Sequence, residues 1–160
     1  MKTTDNKKGF TIIEVVLVLA IAALIFLMVF VAYPALSRGQ RDTQRKNDMS
    51  RAQTAITNAT SSNRGRIPTL NNAFIDNYLK VDGDDFSDPS GKPYVFSELD
   101  AVAAPTGGSD ASNADETDVT IHYTVGGVCD IDGTVKTNQG DRKVALRMAL
   151  EGGGVACVNT

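Results

Sequence analysis

Residues 10–36 form one apolar block, in which 24 of the 27 residues are hydrophobic. Within this block, 18 consecutive apolar residues run from Val15 to Ala32. A helix of that length crosses about 30 Å of hydrocarbon, whereas the alternatives, a buried core helix or a removable secretory signal, need shorter apolar runs. The sequence therefore predicts one membrane helix. It excludes a simple cytosolic enzyme, a disordered chain and a multi-spanning transporter.

The rest of the chain is polar, and its charges are segregated. Five basic residues closely follow the apolar block, whereas 11 Asp or Glu residues and only two lysines lie between Asp76 and Asp118. We predict that this segregation supports head-to-tail electrostatic complementarity between copies of the chain. The formal net charge of −3 argues against a general nucleic-acid-binding protein. The five basic residues are Arg38, Arg41, Arg45, Lys46 and Arg51.

Flanking charges and cysteines point in opposite directions on membrane orientation. Lys2, Lys7 and Lys8 precede the block, but more basic residues follow it, and this count alone would place the polar portion inside the cell. A disulfide in that portion would place it outside the cytoplasm. We predict a single-pass protein of the cytoplasmic (inner) membrane, with residues 1–9 inside.

Cys129 and Cys157 are the only cysteines, and both lie in the polar portion. Neither has a cysteine and histidine neighbourhood that suggests zinc. Alternation along the predicted strands places each cysteine on a face with an apolar residue, which is compatible with a bridge inside one core. Closing this loop stabilises a small domain by roughly 3 kcal/mol. The alternative is two unpaired, buried thiols.

Glu14 is the one charged residue inside the apolar block. A charge at mid-bilayer costs roughly 2.5–3.5 kcal/mol, so a carboxylate here needs a partner unless it reaches the interface or is protonated. The residues from Lys7 to Phe10 are a short basic stretch ending in glycine, followed by phenylalanine. With glutamate at the fifth position after that glycine, they resemble the processing site of type IV prepilins.

The resemblance to type IV prepilins implies a role for each of these residues. A prepilin peptidase would cut between Gly9 and Phe10 and would N-methylate Phe10. Residues 1–9 would be a cleaved leader, and the apolar helix of residues 10–36 would be kept as the filament core. Glu14 would help a subunit to enter the growing filament.

The chemistry of these residues agrees with the resemblance. Cleavage creates a positive amine at Phe10, and in a bundle of parallel helices Glu14 of one copy can pair with the amine of a neighbour. Losing one partner of such a buried pair costs roughly 3–5 kcal/mol, so the pair would enforce register between copies. Gly9 suits a protease that must approach the backbone closely, because a side chain there would obstruct it.

Beyond the block, residues 37–62 continue the helix as an amphipathic segment. Pro34, just before this segment, lacks a backbone donor, and it predicts a kink or a local break in the helix. A narrow apolar stripe then repeats at helical spacing, and we expect the basic residues to fill the other faces. That basic surface could contact phospholipid or DNA, but we favour a solvated face that meets acidic surfaces of adjacent subunits. The stripe consists of Met49, Ala52, Ile56 and Ala59.

Residues 63–118 form a connecting region with a short amphipathic helix and acidic loops. The run from Asp88 to Tyr94 leads into a short strand and resembles the Asp-Pro-x-Gly-x-Pro-Tyr segment of pilin-like secretion subunits, some of which bind calcium in a later loop. Neither this run nor Asp130 to Gly133 keeps the ligand spacing of a 12-residue calcium loop, so we predict plain acidic turns and no metal site. Residues 101–118 are expected to be an exposed loop.

Residues 119–160 predict four antiparallel strands, with a disulfide between the second and the fourth. The strands are expected at 119–125, 128–135, 144–150 and 155–158. A disulfide that ties the last strand to the sheet also resembles the disulfide-bounded region of many pilins. His122 falls on the polar face of the first of these strands, and no residue near it in sequence makes it catalytic.

Together these features predict an α+β fold, in which a long N-terminal helix packs on a small antiparallel sheet, as in pilins. The resemblance implies a structural subunit of a bacterial type IV pilus, with no catalytic residue and no cofactor. Its implied partners are copies of itself in an extracellular helical filament, the prepilin peptidase, the assembly platform, the membrane and minor pilins; DNA or a host surface is a further option. Alternatives are a secretion pseudopilin, a minor competence pilin, or a permanently anchored extracytoplasmic binding domain.

Overall fold

A computed structural model describes residues 9–80, 83–99 and 117–160 of the chain. Residues 1–8 of the expected leader and most of the expected loop at 101–118 lie outside these ranges. The chain divides into two compact units, an N-terminal unit up to Ser37 and a C-terminal unit from Arg38 to Thr160.

The longest element is helix α1, Ile12–Ser62, which begins in the N-terminal unit and ends in the C-terminal unit. Pro34 lies inside this helix, which is continuous across it, and the kink expected there stays a prediction. The helix ends because Gly65 adopts a φ of +80°, which glycine reaches without steric cost, and donates its N–H to Thr60 O at 2.8 Å.

Helix α2, Asn72–Tyr78, lies within the segment where the sequence predicts a short amphipathic helix. Asn71 caps it, because its side-chain oxygen accepts a hydrogen bond of 3.0 Å from the N–H of Phe74. Phe74 and Ile75 turn into the core and expose no more than 4% of their surface.

Six strands follow, and four of them form one sheet in the order β1-β2-β5-β6. β2 and β5 are antiparallel, as are β5 and β6, but β1 pairs with β2 in parallel. The α+β, pilin-like fold is thus confirmed, whereas the sheet is mixed and not wholly antiparallel. A parallel pair needs a long connection, and 20 residues lie between Glu98 and Val119 in the sequence. The strands are β1 Tyr94–Glu98, β2 Val119–Val125, β3 Val128–Cys129, β4 Val135–Lys136, β5 Val144–Ala149 and β6 Val155–Asn159.

The predicted single strand at 128–135 is wrong. Its two ends, β3 and β4, pair with each other as a separate two-stranded hairpin. Between them Asp130 to Gly133 form a tight turn, in which Gly133 donates its N–H to Asp130 O at 3.2 Å. Ile131, expected to share a core face with Cys129, sits in that turn and is fully exposed.

The core of the C-terminal unit lies between α1, α2 and the four-stranded sheet. The predicted stripe on α1 faces this core, and each of its four side chains is at most 3% exposed. β5 is buried along its whole length, including Arg147, whose guanidinium pKa burial lowers. β5 thus lacks the solvent-facing side that simple alternation predicts. His122, expected to face solvent, is partly buried in β2.

Candidate functional site

The N-terminal end of α1 holds Glu14 in a defined position. Glu14 Oε2 accepts hydrogen bonds from the backbone N–H and the hydroxyl of Thr11, at 2.9 and 2.8 Å. In return the N–H of Glu14 donates to Thr11 Oγ1 at 3.4 Å. This reciprocal pattern is a capping box, which satisfies two backbone donors that a helix start otherwise leaves unpaired. Within the described residues, Oε1 of Glu14 accepts no hydrogen bond.

Phe10 and Gly9 lie just before the helix and are exposed. Phe10 exposes 92% of its surface, and it lines one shallow groove of about 490 Å³ with Glu14, Val15 and Val18. A Cβ placed on Gly9 would meet no described atom within 4 Å. Packing within the chain therefore does not explain the glycine at this position.

The apolar half of α1 is long and apolar enough to cross a bilayer, with a mean hydropathy of 3.3 over its most apolar window. Its large side chains are exposed throughout, from 48% for Val15 to 84% for Ile12. A patch this large and continuous on a single chain marks a surface that lipid or another protein covers.

Arg45 is the centre of a buried ion-pair network in the C-terminal unit. Its side chain is fully buried, and its Nε and Nη2 donate to the two carboxylate oxygens of Asp88 at 2.6 and 3.0 Å. Nη2 also lies 2.8 Å from Glu151 Oε1, and Nη1 lies 3.3 Å from Asp42 Oδ1. The planar guanidinium suits this role, because its five donors match several carboxylate oxygens at once.

The carboxylates of this network stay charged because of their partners. Burial by itself raises the pKa of Asp88, but hydrogen bonds from Arg45 and Ser90 outweigh burial and leave this pKa below its ordinary value. Burial also raises the pKa of Glu151, and hydrogen bonds from Arg41 and Arg45 reverse that shift. The pKa of Arg45 rises in turn, because its bonds to the carboxylates exceed the effect of burial.

Asp42 holds the turn between β5 and β6 against α1. Its carboxylate accepts hydrogen bonds from the N–H groups of Glu151 and Gly152, at 2.9 and 2.8 Å. Arg41 Nη2 donates to the same Glu151 side chain at 2.7 Å. A Cβ on Gly152 would lie 2.9 Å from Asp42 Oδ2, so a side chain there would displace the carboxylate. The turn therefore needs both the aspartate and the glycine.

The segment from Asp88 to Tyr94 is built around the same network. The N–H of Asp88 donates to Lys92 O at 2.8 Å, and the Tyr94 hydroxyl donates to Asp48 Oδ2 at 3.1 Å. Burial, followed by the neighbouring carboxylate charges, raises the pKa of the Tyr94 hydroxyl above its ordinary value. Burial also raises the pKa of Asp48. The residues of the Asp-Pro-x-Gly-x-Pro-Tyr segment thus attach this turn to α1.

Cys129 and Cys157 form a disulfide that links β3 to β6 across 28 residues. The N–H of Cys129 also donates to Asn159 Oδ1 at 2.7 Å, so the hairpin and the last strand are joined twice. Among the described residues, no group of three or more His, Cys, Asp or Glu side chains could hold a metal ion.

Only part of the basic stretch after the apolar block is the solvated face that the sequence predicts. Arg45 is buried, Arg41 is partly buried, and Arg51 pairs with Asp84 at 2.6 Å, so their acidic partners lie in the same chain. Arg38 and Lys46 remain exposed. The signal for this was the apolar stripe itself, because continuing its spacing of 4 and 3 residues backward from Met49 gives Arg45 and Asp42.

Comparison with protein families gives a match at the start of the chain. Residues 4–30 match the prokaryotic N-terminal methylation motif. The match covers Gly9, Phe10 and Glu14, and it supports a leader of the type IV prepilin-like class III kind. It supports a protein similar to type IV pilins or pseudopilins, anchored in the membrane as a precursor. Comparisons with curated proteins and with solved structures gave no match.

Proposed function

We propose that this chain is a structural, non-enzymatic subunit of a type IV pilus. In this proposal the prepilin peptidase removes residues 1–9 and N-methylates Phe10. The apolar block of residues 10–36, which includes the first half of α1, first spans the inner membrane and then packs against copies of itself in an extracellular filament. The observation that carries the proposal is the methylation motif, placed on an exposed apolar helix that contains one carboxylate.

The capping box suggests how Glu14 could act in assembly. One carboxylate oxygen is held by Thr11, which fixes the side chain near the helix start. The other oxygen accepts no hydrogen bond from a described residue and could receive the amine of a neighbouring Phe10. A charge-assisted bond of this kind is about twice as strong as a neutral one, and a site with few competing water molecules strengthens it further.

Two measurements test the processing step. Intact mass and amino-terminal sequencing of cell-surface material should show loss of residues 1–9 and a methylated Phe10. Gly9→Val should leave the precursor inserted but uncut, because a side chain on Gly9 would meet no described atom of the chain and the proposed role of the glycine is toward the peptidase. An intact leader in surface material contradicts the proposal and favours a permanently anchored binding domain.

Two variants of Glu14 separate capping from assembly. Gln caps a helix start as Glu does, so Glu14→Gln should preserve the helix and membrane insertion. It removes the charge, and we therefore expect at least a tenfold loss of subunit in purified filaments. Glu14→Asp keeps the charge and serves as the matched control, with a smaller loss. Normal assembly of Glu14→Gln would show that the assigned pairing is wrong.

A second candidate is a secretion-type pseudopilin. It is favoured by the Asp88 to Tyr94 segment, which resembles that of pilin-like secretion subunits and is tied to α1 through Arg45. Imaging of surface filaments with and without the gene product separates the candidates. Long filaments that disappear in the deletion strain support the pilus, whereas lost secretion without lost filaments supports the pseudopilin. Adhesion, motility and DNA uptake are tested in the same strains.

A further inference from the structure

The two ends of the strands in the C-terminal unit carry opposite charges. In the sheet, Val125 of β2 lies opposite Val144 of β5, and Tyr94 of β1 lies beside Val119 of β2. The residues before Val144 are therefore at one end of the strands, and the residues before Tyr94 and Val119 are at the other end. A strand of the length of β2 separates these ends by about 20 Å.

Three arginines meet at the first end, which we name the arginine pole: Arg64, Arg66 and Arg142. Arg64 and Arg66 flank Gly65 in the loop after α1, and the guanidinium of Arg142 packs on that glycine. A Cβ on Gly65 would lie 2.9 Å from Arg142 Cζ. All three arginines are exposed, and no described carboxylate side chain forms an ion pair with them. Asp141 precedes Arg142 without pairing to it, so the pole keeps a positive charge.

Three aspartates line a cleft at the opposite end, which we name the aspartate pole: Asp76, Asp85 and Asp118. The cleft has a volume of about 270 Å³, and Pro93 and Tyr94 contribute to its wall. Lys80, also in the cleft, pairs with Asp76 at 2.8 Å. Three carboxylates face one ammonium group, so this pole keeps a negative charge.

The partner that fits the arginine pole best is the aspartate pole of a second copy. Guanidinium groups bind carboxylates in the same forked geometry that they use for phosphates, so the pole alone fits either. The whole chain has a formal net charge of −3, so the residues outside the arginine pole carry a net negative charge and would repel a polyanion. In a second copy the complementary charge is already present. Arg41, Arg45 and Arg51 do not supply the positive charge for this contact, because each of them already pairs with a carboxylate of its own chain.

We propose that copies of this chain associate head to tail, with the arginine pole of one copy against the aspartate pole of the next. Such a contact uses two different patches, so it can repeat from copy to copy and extends into a filament wherever the rotation between copies does not close a ring. The inference rests on the proposed function, because it orders the C-terminal units of neighbouring subunits in that filament. It also moves the predicted electrostatic complementarity from the basic stretch of α1 to the loop that follows the helix.

Charge reversal at each pole tests this contact in cells that express the full-length chain. We expect R64E/R66E and D85K/D118K each to reduce purified surface filament at least tenfold. Co-expression of the two variants should restore filaments, because the two reversed poles complement each other and the two unchanged poles can still form the original contact. The chain that carries all four substitutions should assemble by itself for the same reason. The matched control is K46E/K136E, which changes the net charge as R64E/R66E does and should assemble normally.

Each outcome decides for or against the contact. Restoration in the mixed or fourfold variant supports it and also shows that the variants fold. Normal assembly of R64E/R66E overturns it, as does loss that neither combination restores. If R64E/R66E assembles normally but loses binding of double-stranded DNA, the pole is a polyanion site and the inference is wrong. If the wild-type chain forms no filament, the proposed function fails, which is a separate result.

Discussion

The two halves of helix α1 differ in which side chains they bury: the first half exposes its apolar side chains, and the second half buries a charged one. Large apolar residues of the first half are exposed, with 70% of Leu24 and 79% of Phe30 accessible. In the second half a cation, Arg45, is as completely buried as Met49, which follows it by one turn. Side-chain polarity alone would predict the reverse in a soluble protein.

The difference between the halves follows from where each finds its partners. Arg45 has carboxylates from its own chain within hydrogen-bond distance, and these compensate for the water that it loses. No described residue of the chain covers the large side chains of the apolar half, and a surface of this kind is one that lipid or other copies cover. A helix can therefore be stabilised by its own chain along one part and by its surroundings along another.

The largest expected effect comes from breaking the network in the charged half. Arg45→Met keeps the length of the side chain but leaves Asp88 buried without its cation and Glu151 with Arg41 alone. We expect the free energy of unfolding to fall by about 3–5 kcal/mol. The measurement is denaturant unfolding of the full chain in detergent. Lys46→Met is the matched control, because Lys46 is exposed, and it should change stability by less than about 0.5 kcal/mol. Equal effects of both variants would refute the assignment.

Removing the disulfide should have the next largest effect. C129A/C157A frees a loop whose ends are 28 residues apart, which costs about 3 kcal/mol through the larger entropy of the unfolded chain. Reduction of the wild-type chain should lower its unfolding midpoint to that of the double variant. The prediction fails if a reductant leaves the midpoint of the wild type unchanged. The charged network should survive, since neither cysteine takes part in it.

Acidification should lower the free energy of unfolding of the C-terminal unit by a smaller amount. The pKa values of Asp88 and Glu151 are below their ordinary values, so the folded state binds protons less readily than the unfolded state. Their contribution is complete above about pH 5 and is lost as the pH falls through about 4 toward the folded-state values. Asp48 has a raised pKa, so its protonation favours the folded state as the pH falls and offsets part of this loss.

A titration of unfolding free energy between pH 7 and pH 3 checks this behaviour. Glu151→Gln should lower stability at pH 7 and also flatten the dependence on pH, because one of the responding carboxylates is gone. A wild-type curve that is flat over this range, or a variant with the same slope as the wild type, would contradict the prediction.

The smallest effect is expected from the apolar half. Leu24→Ala removes a side chain that is exposed in the single chain, so the unfolding free energy of the C-terminal unit should change by less than about 0.5 kcal/mol. Ile56→Ala, in the second half and fully buried, should cost about 2–5 kcal/mol in the same assay. Similar losses from both variants would remove the distinction between the two halves of α1.

Much of the helix arrangement could be predicted from sequence, because local patterns determine it. The apolar run gives the exposed half of α1, and the spacing of Met49, Ala52 and Ile56 identifies the face that meets the core. Strand positions were partly predictable for the same reason. The parallel pairing of β1 with β2 was not, since no local signal distinguishes a parallel from an antiparallel neighbour.

The residues proposed for processing and assembly are also local in sequence. Gly9, Phe10 and Glu14 lie within six positions, and their motif is recognisable without a fold. The capping box of Thr11 and Glu14 has an equally local signature, Thr-x-x-Glu before an apolar run. From the sequence we interpreted Glu14 only as a charge in the membrane and did not predict this box. Here the structure adds only that one carboxylate oxygen is occupied and directed by Thr11.

The sequence by itself determined which part of this chain needs a membrane or a neighbour, since an uninterrupted apolar run leaves the helix no polar face. It also carries the contiguous N-terminal methylation motif from which the peptidase site is proposed. Only the tertiary structure decided the partners of the charges. Arg45 meets Asp88 and Glu151 across 43 and 106 residues, and the two charged poles form from separate loops. Electrostatic pairing depends on distance in space, which the order of residues alone does not specify.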